Sequence, residues 1–222
     1  MILDKLSNVA RTMFESTVLG VIAAICSAVF MAAQRITSRR GMVGEKSVSP
    51  TIGVFITMVV ALGYFGLLII GFGKAGELFN VDRLTLISLG VAGIIHFVIG
   101  RTFSYHAFKY IGVNAASPYI AMNSFYAIVF SALFLSERPS VVSLLGACVI
   151  LSGVLIITIF KPRLTSSDPV QQHQFRKGIL CGVGAGLSFG SSAPLIRLGL
   201  KSGGTPIVGP FVSYLFALLV YV

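Results

Sequence analysis

The chain alternates long apolar runs with short polar stretches. Seven runs of about 20 residues can be drawn, at 17–36, 51–73, 84–108, 115–135, 140–160, 178–200 and 206–222, and nearly every charge falls between them. A run of about 20 apolar residues crosses roughly 30 Å of hydrocarbon as an α-helix. Transmembrane β-strands would instead alternate apolar and polar residues over about 10 positions, whereas residues 54–70 and 141–160 are almost continuously apolar. The pattern therefore predicts an all-α, polytopic transmembrane helical bundle. Ahead of it, residues 1–16 space Leu3, Leu6, Ala10, Met13 and Phe14 at helical intervals, with Lys5 and Arg11 elsewhere, and read as an interfacial N-terminal segment.

The first and sixth runs align without gaps at an offset of 162 residues: Gly20, Val21, Ala23 and Arg35 match Gly182, Val183, Ala185 and Arg197, and Gly41 matches Gly203. A second block follows at an offset of 156, where Ser49-Pro50 matches Thr205-Pro206, Gly53 matches Gly209 and Phe55 matches Phe211. Shared apolar composition makes Leu, Val and Ala identities cheap, but paired Pro, Gly and terminal Arg at common offsets favour a true repeat. The first unit, 17–160, holds five spans, an odd number, so a following copy enters the membrane upside down. After a polar linker at 161–177, residues 178–222 supply only the first two helices of the second unit. Residue 222 corresponds to residue 66 and lies inside an apolar span, so the expectation is an incomplete second repeat, with seven spans here and ten in a complete protein.

Composition confirms the solvent rather than the chemistry. Fifty-five per cent of residues are hydrophobic and 11% charged, with a mean hydropathy of +0.92, outside the range of soluble domains. A formal charge of +10 would suggest a nucleic-acid partner in a soluble protein, but the basic residues are scattered in loops as ones, pairs and small clusters (Arg35, Arg39, Arg40, Lys46 and Lys161, Arg163, Arg176, Lys177), which suits anionic headgroups. Cys26, Cys148 and Cys181 lie within apolar spans and imply no disulfide framework. Short-loop cations number seven on the side of the N-terminus and nine on the other, a slight bias that places the N-terminus outside the cytoplasm.

Lipid gives helices little hydrophobic reason to associate, so small residues mark close contacts. Gly20, Ala24 and Ala28 form such a stripe on the first span, and Gly182, Gly186 and Gly190 form its counterpart on the sixth. On the fourth span, Ser117, Ala121, Ser124 and Ser131 share one face, which reads as a packing seam. Tyr119, Asn123, Tyr126 and Phe130 share the opposite face, which meets either a polar cavity or another helix, since the Asn123 amide would be unsatisfied in lipid. The third span carries Arg101, an intramembrane cation on a face with Ser104 and Tyr105. Two readings of Arg101 weigh about equally: it snorkels to the nearer interface, or it binds an anionic or carbonyl-bearing solute. His96 shares a face with Gly93, Gly100 and Ala107 and reads as a hydrogen-bonded packing residue before a proton carrier. The candidate solute pathway is thus Arg101, Tyr105, Asn123, Tyr126 and His96. No metal-ligand cluster, nucleotide loop, HExxH or GxSxG pattern is present in the sequence, so neither cofactor nor enzyme activity is expected.

The third to fifth spans contain Gly100-Arg101, Tyr105, Ala107-Phe108-Lys109-Tyr110-Ile111-Gly112-Val113, an Asn-Ala-Ala-Ser-Pro stretch from Asn114, and Ser136-Glu137-Arg138-Pro139 before Gly146 and Gly153. This stretch resembles the EamA family of drug/metabolite transporters. Ser124 stands where members commonly have proline, and Ser136 replaces the usual glycine before Glu137. The resemblance implies two inverted five-helix units around a central cavity, cytoplasmic termini, and a motif turn at Glu137 and Arg138. On termini it opposes the loop-charge bias, and we follow the resemblance. The expected function is export of small organic metabolites across the cell (plasma) membrane by alternating access. The alternative is a non-transporting scaffold or regulatory membrane protein, or an inactive piece of a transporter. Expected partners are a small-molecule solute and membrane lipids, with room for a homodimer and no nucleic acid.

Overall fold

A computed structural model describes the backbone of residues 2–44, 47–136, 138–160 and 169–222, with side chains from residue 17 onward except 155, 157–160 and 169. The expected motif residue Glu137 lies outside the described residues. The described backbone is helical, without strands: α1 (Ile2–Met42), α2 (Pro50–Gly71), a short α3 (Ala75–Phe79), α4 (Arg83–Gly93), a π-helical segment (Ile94–Gly100), α5 (Arg101–Ala121), α6 (Asn123–Leu135), α7 (Val141–Phe160), α8 (Pro169–Lys201) and α9 (Val208–Tyr221). Helix starts carry their own caps. Ser49 Oγ accepts from the Ile52 amide at 3.3 Å with Pro50 in the first turn, and Asp82 accepts from the Leu84 amide at 3.0 Å. Thr205 Oγ1 accepts from the Val208 amide at 3.2 Å, so the matched Ser49-Pro50 and Thr205-Pro206 pairs both cap through a hydroxyl three residues upstream.

From Arg83 to Leu135 the chain is helical almost throughout, but two helical arms meet at a kink at Gly112, whose φ of 78° and ψ of 163° are open to glycine almost alone, and the direction reverses there. The reversal is recorded in α8. Thr85 Oγ1 donates to the Gly199 and Ser202 carbonyls, His96 reaches Ser192, and Phe103 lies by Gly184, so α8 runs antiparallel to residues 83–111. Tyr110 and Ile111 lie by Gly178, Tyr119 by Gly182 and Asn123 by Gly190, so α8 runs parallel to residues 113–127. It therefore packs along both arms of one hairpin. α9 packs antiparallel to α2, with Tyr221 near Thr51 and Tyr214 near Phe65, the orientation an inverted copy requires.

Among the described residues, four helices are long and apolar enough to cross a membrane by length and composition, one of them the two-armed rod Arg83–Leu135, and residues 141–154 of α7 and α9 add further apolar helix. The protein is an all-α polytopic bundle, as the apolar pattern predicts. Four expectations need correction. α1 continues through position 16 without a break, so segment and first span form one helix. The expected linker 161–177 is helical from Pro169, because nothing between there and Gly178 stops a helix; residues 161–168 lie outside the described residues.

The other two corrections concern packing. On the fourth span, the face carrying Tyr119, Asn123 and Tyr126 meets α8, whereas Ala121 and Ser124 of the supposed seam are exposed and only Ser131 is buried. The small residues of this contact come from α8, whose glycines leave hollows for the large side chains opposite. Finally, the stripe at Gly20, Ala24 and Ala28 packs against nothing: all three are exposed, and Gly20 has open space within 4 Å. Its counterpart on α8 is covered by the hairpin of residues 83–127.

Candidate functional site

The π-helical turn at Ile94–Gly100 inserts a wider turn in the middle of an otherwise α-helical arm; it contains the expected site residue His96 and is followed directly by Arg101. Such turns often accompany functional positions because they rotate the side chains on either side. Arg101 lies roughly 6 Å past the midpoint of the 83–111 arm, at about 1.5 Å per residue. Its Cζ stands 5.3 Å from the centroid of Phe97, one turn earlier. Phe97 is stacked on Tyr214 at 3.8 Å and 16°, and Tyr214 is stacked in turn near Phe65 at 6.0 Å. The guanidinium thus caps an aromatic ladder that ties the π turn to α9 and α2. Beyond this cation–π contact the guanidinium makes no hydrogen bond or ion pair among the described residues. It is half-buried, with five N–H donors still to satisfy. Beside it, Thr102 Oγ1 is buried without a hydrogen-bond partner among the described residues.

His96 packs toward α8. Its Nδ1 lies 2.8 Å from Ser192 Oγ, and its ring is flanked by Phe97 at 4.7 Å and Phe189 at 4.6 Å. Ser192 Oγ in turn donates to the Phe189 carbonyl at 2.8 Å. Gly100 lies against Phe189 and Gly93 against the Ser213 backbone, so this face is occupied by α8 and α9.

Tyr105 is buried at the junction of α1, α2 and α5, with 4% of its surface exposed. Its hydroxyl oxygen accepts from Gln34 Nε2 at 3.0 Å and Ser38 Oγ at 3.2 Å, and it lies 3.1 Å from Thr57 Oγ1. Thr57 donates its proton to the Gly53 carbonyl at 2.6 Å, so Tyr105 is the donor to Thr57. The hydroxyl is saturated by protein. Asn123 accepts from Ser124 Oγ at 3.2 Å, and with Tyr126 it packs beside Gly190. The structure therefore brings Arg101 and His96 to one π turn, each against Phe97, sets Tyr105 in a separate polar cluster, and places Asn123 and Tyr126 at the α8 contact.

Several partners were not anticipated. Phe97 is the most accessible to sequence, because it precedes Arg101 by four residues and therefore shares its helix face. Gln34 and Thr57 are polar residues inside apolar runs, which is a signal in itself. Tyr214, Phe189 and Ser192 reach the site only through tertiary packing. Among the described residues no group of three or more metal-ligating side chains assembles.

The sequence profile of the EamA-like transporter family matches residues 18–159, more than half of the chain. The chain belongs to the EamA-like transporter family. No curated protein matches it at a significant level. The EamA match spans α1 to α7 and includes the π turn, Arg101, the Gly112 reversal and Ser136. Ser136 adopts a left-handed conformation with φ of 53° at the end of α6, which explains why glycine is the common EamA residue there. Membership makes the protein a multi-pass membrane protein of a transporter family.

Proposed function

We propose that this EamA-like protein is a secondary transporter that exports a small organic solute across the plasma membrane by alternating access, with Arg101 as the principal solute-facing group. The observation that carries the reading is the guanidinium itself. An intramembrane cation is costly, and Arg101 keeps its donors in the middle third of the hairpin arm, over one aromatic face and without a hydrogen bond or ion pair among the described residues. A planar fork of donors above an aromatic ring suits a carboxylate or carbonyl group on a solute with some apolar surface. The π turn is the place where such a group can be re-aimed without breaking the helix. Binding and release of solute, with no covalent chemistry, complete the reading.

The test is flux. Proteoliposomes of the purified chain are loaded with a panel of amino acids and small organic acids, and efflux is followed by mass spectrometry. Movement of at least one carboxylate-bearing solute above empty liposomes is expected. Retention of the entire panel would refute the transporter reading.

A further inference from the structure

At the bundle end where α6 finishes, α7 begins and α8 approaches its last turn, the three helices enclose a cavity of about 250 Å³. It is lined by Ser131 of α6, Arg138 and Ser140 of the α6–α7 connection, Ser143 in the first turn of α7, and Ala193 and Arg197 of α8. None of these residues takes part in the π-turn site. The volume is several times the roughly 30 Å³ share of one water molecule.

Three features of the lining point to an anion. Arg138 makes no hydrogen bond or ion pair among the described residues, and Arg197, which holds a further interaction of its own, lines the same cavity as a second cation. Ser131 is 8% exposed, opens on the cavity, and its hydroxyl has no hydrogen-bond partner among the described residues. The α7 N-terminus also faces this region, with Ser140 Oγ accepting from the Ser143 amide at 3.2 Å and lying 2.9 Å from Ser143 Oγ. Guanidinium forks and helix N-termini favour phosphoryl oxygens in particular, because they supply several charge-assisted donors at once.

The position in the membrane selects the source of the phosphoryl group. Arg83 at the start of α4 and Lys201 at the end of α8 mark the same end of the bundle, since Thr85 bonds to the Gly199 and Ser202 carbonyls, and cations at span ends suit anionic headgroups. The chain beside the cavity faces lipid through Phe134, Val141 and Val142, each more than 70% exposed. A group that occupied the cavity from this side would have acyl chains running down that apolar surface. We propose that this cavity is a binding site for the phosphate of an anionic phospholipid headgroup, held by Arg138 and Arg197 with Ser131 as an additional donor. The site would tie the α6–α7 turn to α8 through bound lipid.

The purified full chain in detergent is titrated with phosphatidylglycerol or phosphatidylcholine, and retained lipid is counted by native mass spectrometry. One phosphatidylglycerol per chain is expected to persist, with weaker retention of phosphatidylcholine. Arg138→Gln and Arg197→Gln should each weaken the apparent Kd about tenfold, Ser131→Ala about threefold, and Arg138→Lys less than Arg138→Gln. Arg83→Gln, at the same membrane face but outside the cavity, should stay within about twofold. Thermal unfolding in phosphatidylcholine confirms that each variant is folded, and Ser131→Ala keeps both charges should an arginine variant fail to fold. Wild-type affinity in Arg138→Gln and Ser131→Ala would overturn the site, as would an equal loss in Arg83→Gln, which would mean diffuse surface charge. Equal retention of the two lipids, or displacement of phosphatidylglycerol by millimolar inorganic phosphate, would overturn the lipid assignment.

Discussion

Gly190 passes the backbone of Asn123 so closely that a Cβ at position 190 would stand 2.8 Å from the Asn123 carbonyl oxygen. Backbone cannot yield as a flexible side chain does, so Gly190→Ala must separate α8 from α6. Overpacking of this kind costs about 1–3 kcal/mol. Gly20, at the corresponding kind of position on α1, has nothing within 4 Å, and Gly20→Ala should be neutral or stabilise by up to about 1 kcal/mol through helix propensity. Thermal unfolding of both variants in one detergent checks the contrast, and equal shifts would show that the two stripes are packed alike.

The Tyr105 hydroxyl joins three helices through bonds whose donors are all assigned, so its removal leaves Gln34, Ser38 and Thr57 to find new partners together. Tyr105→Phe should destabilise by about 1 kcal/mol, the usual net scale of one intramolecular bond and near the values found within membranes. Because Thr57 shares the cluster, Tyr105→Phe and Thr57→Val should couple by about 0.5 kcal/mol or more in a double-mutant cycle. Strict additivity would show that the cluster does not act as a unit.

Ser136 holds a left-handed φ of 53° where α6 ends. Left-handed backbone costs an L-residue about 1–2 kcal/mol, part of which is offset because glycine loses more chain entropy on folding. Ser136→Gly should therefore stabilise by about 0.5–1 kcal/mol, against the usual trend for glycine substitutions, while Ser136→Ala should give no gain. A lowered midpoint for Ser136→Gly in denaturant unfolding would exclude the strain.

The spans were legible because lipid imposes one simple rule, continuous apolarity, that survives without knowledge of any contact. Arg101 was legible for the converse reason, as a cation inside a span. Turns were less so. A six-residue connection at 109–114 separates the third and fourth apolar runs, yet Gly112 alone makes the reversal, since its φ of 78° needs no loop. Packing faces were misread where size was considered on one helix only: Tyr119 and Tyr126 can face α8 because Gly182 and Gly190 supply the hollows. The Gly20 and Gly182 stripes look alike in sequence, but burial depends on a partner surface, and only one of them has it. The Tyr105 cluster spans separations of 48 to 71 residues, and no local pattern announces it.

Arg101 and His96 should part company in transport. Arg101 carries donors without hydrogen-bond partners among the described residues, whereas His96 is bonded to Ser192 and flanked by Phe97 and Phe189. Arg101→Ala should lower flux per folded molecule about tenfold or more, with Arg101→Lys intermediate because the charge remains but the fork is lost. His96→Ala should mainly lower thermal stability and reduce flux less. Equal or reversed losses, normalised to folded protein, would remove Arg101 from the solute path.

The short α3 outside the spans gives a pH dependence that can be signed. Lys74 donates a side-chain hydrogen bond to Glu77, which together with the ammonium charge outweighs partial burial and holds the Glu77 carboxyl below its ordinary value of 4.5. A carboxyl whose folded pKa is depressed contributes stability that is fully present above the unfolded value and fades as pH falls through the folded one. Wild-type protein should therefore lose a small increment of stability below about pH 4.5, the ordinary carboxyl value, that Glu77→Gln lacks throughout. The increment should shrink in high salt, because both side chains are partly exposed and the pair is screened. Unfolding midpoints of wild type, Lys74→Met and Glu77→Gln between pH 3 and 7, at low and high ionic strength, check it. Parallel wild-type and Glu77→Gln curves across that range would show that the pair adds nothing to folding.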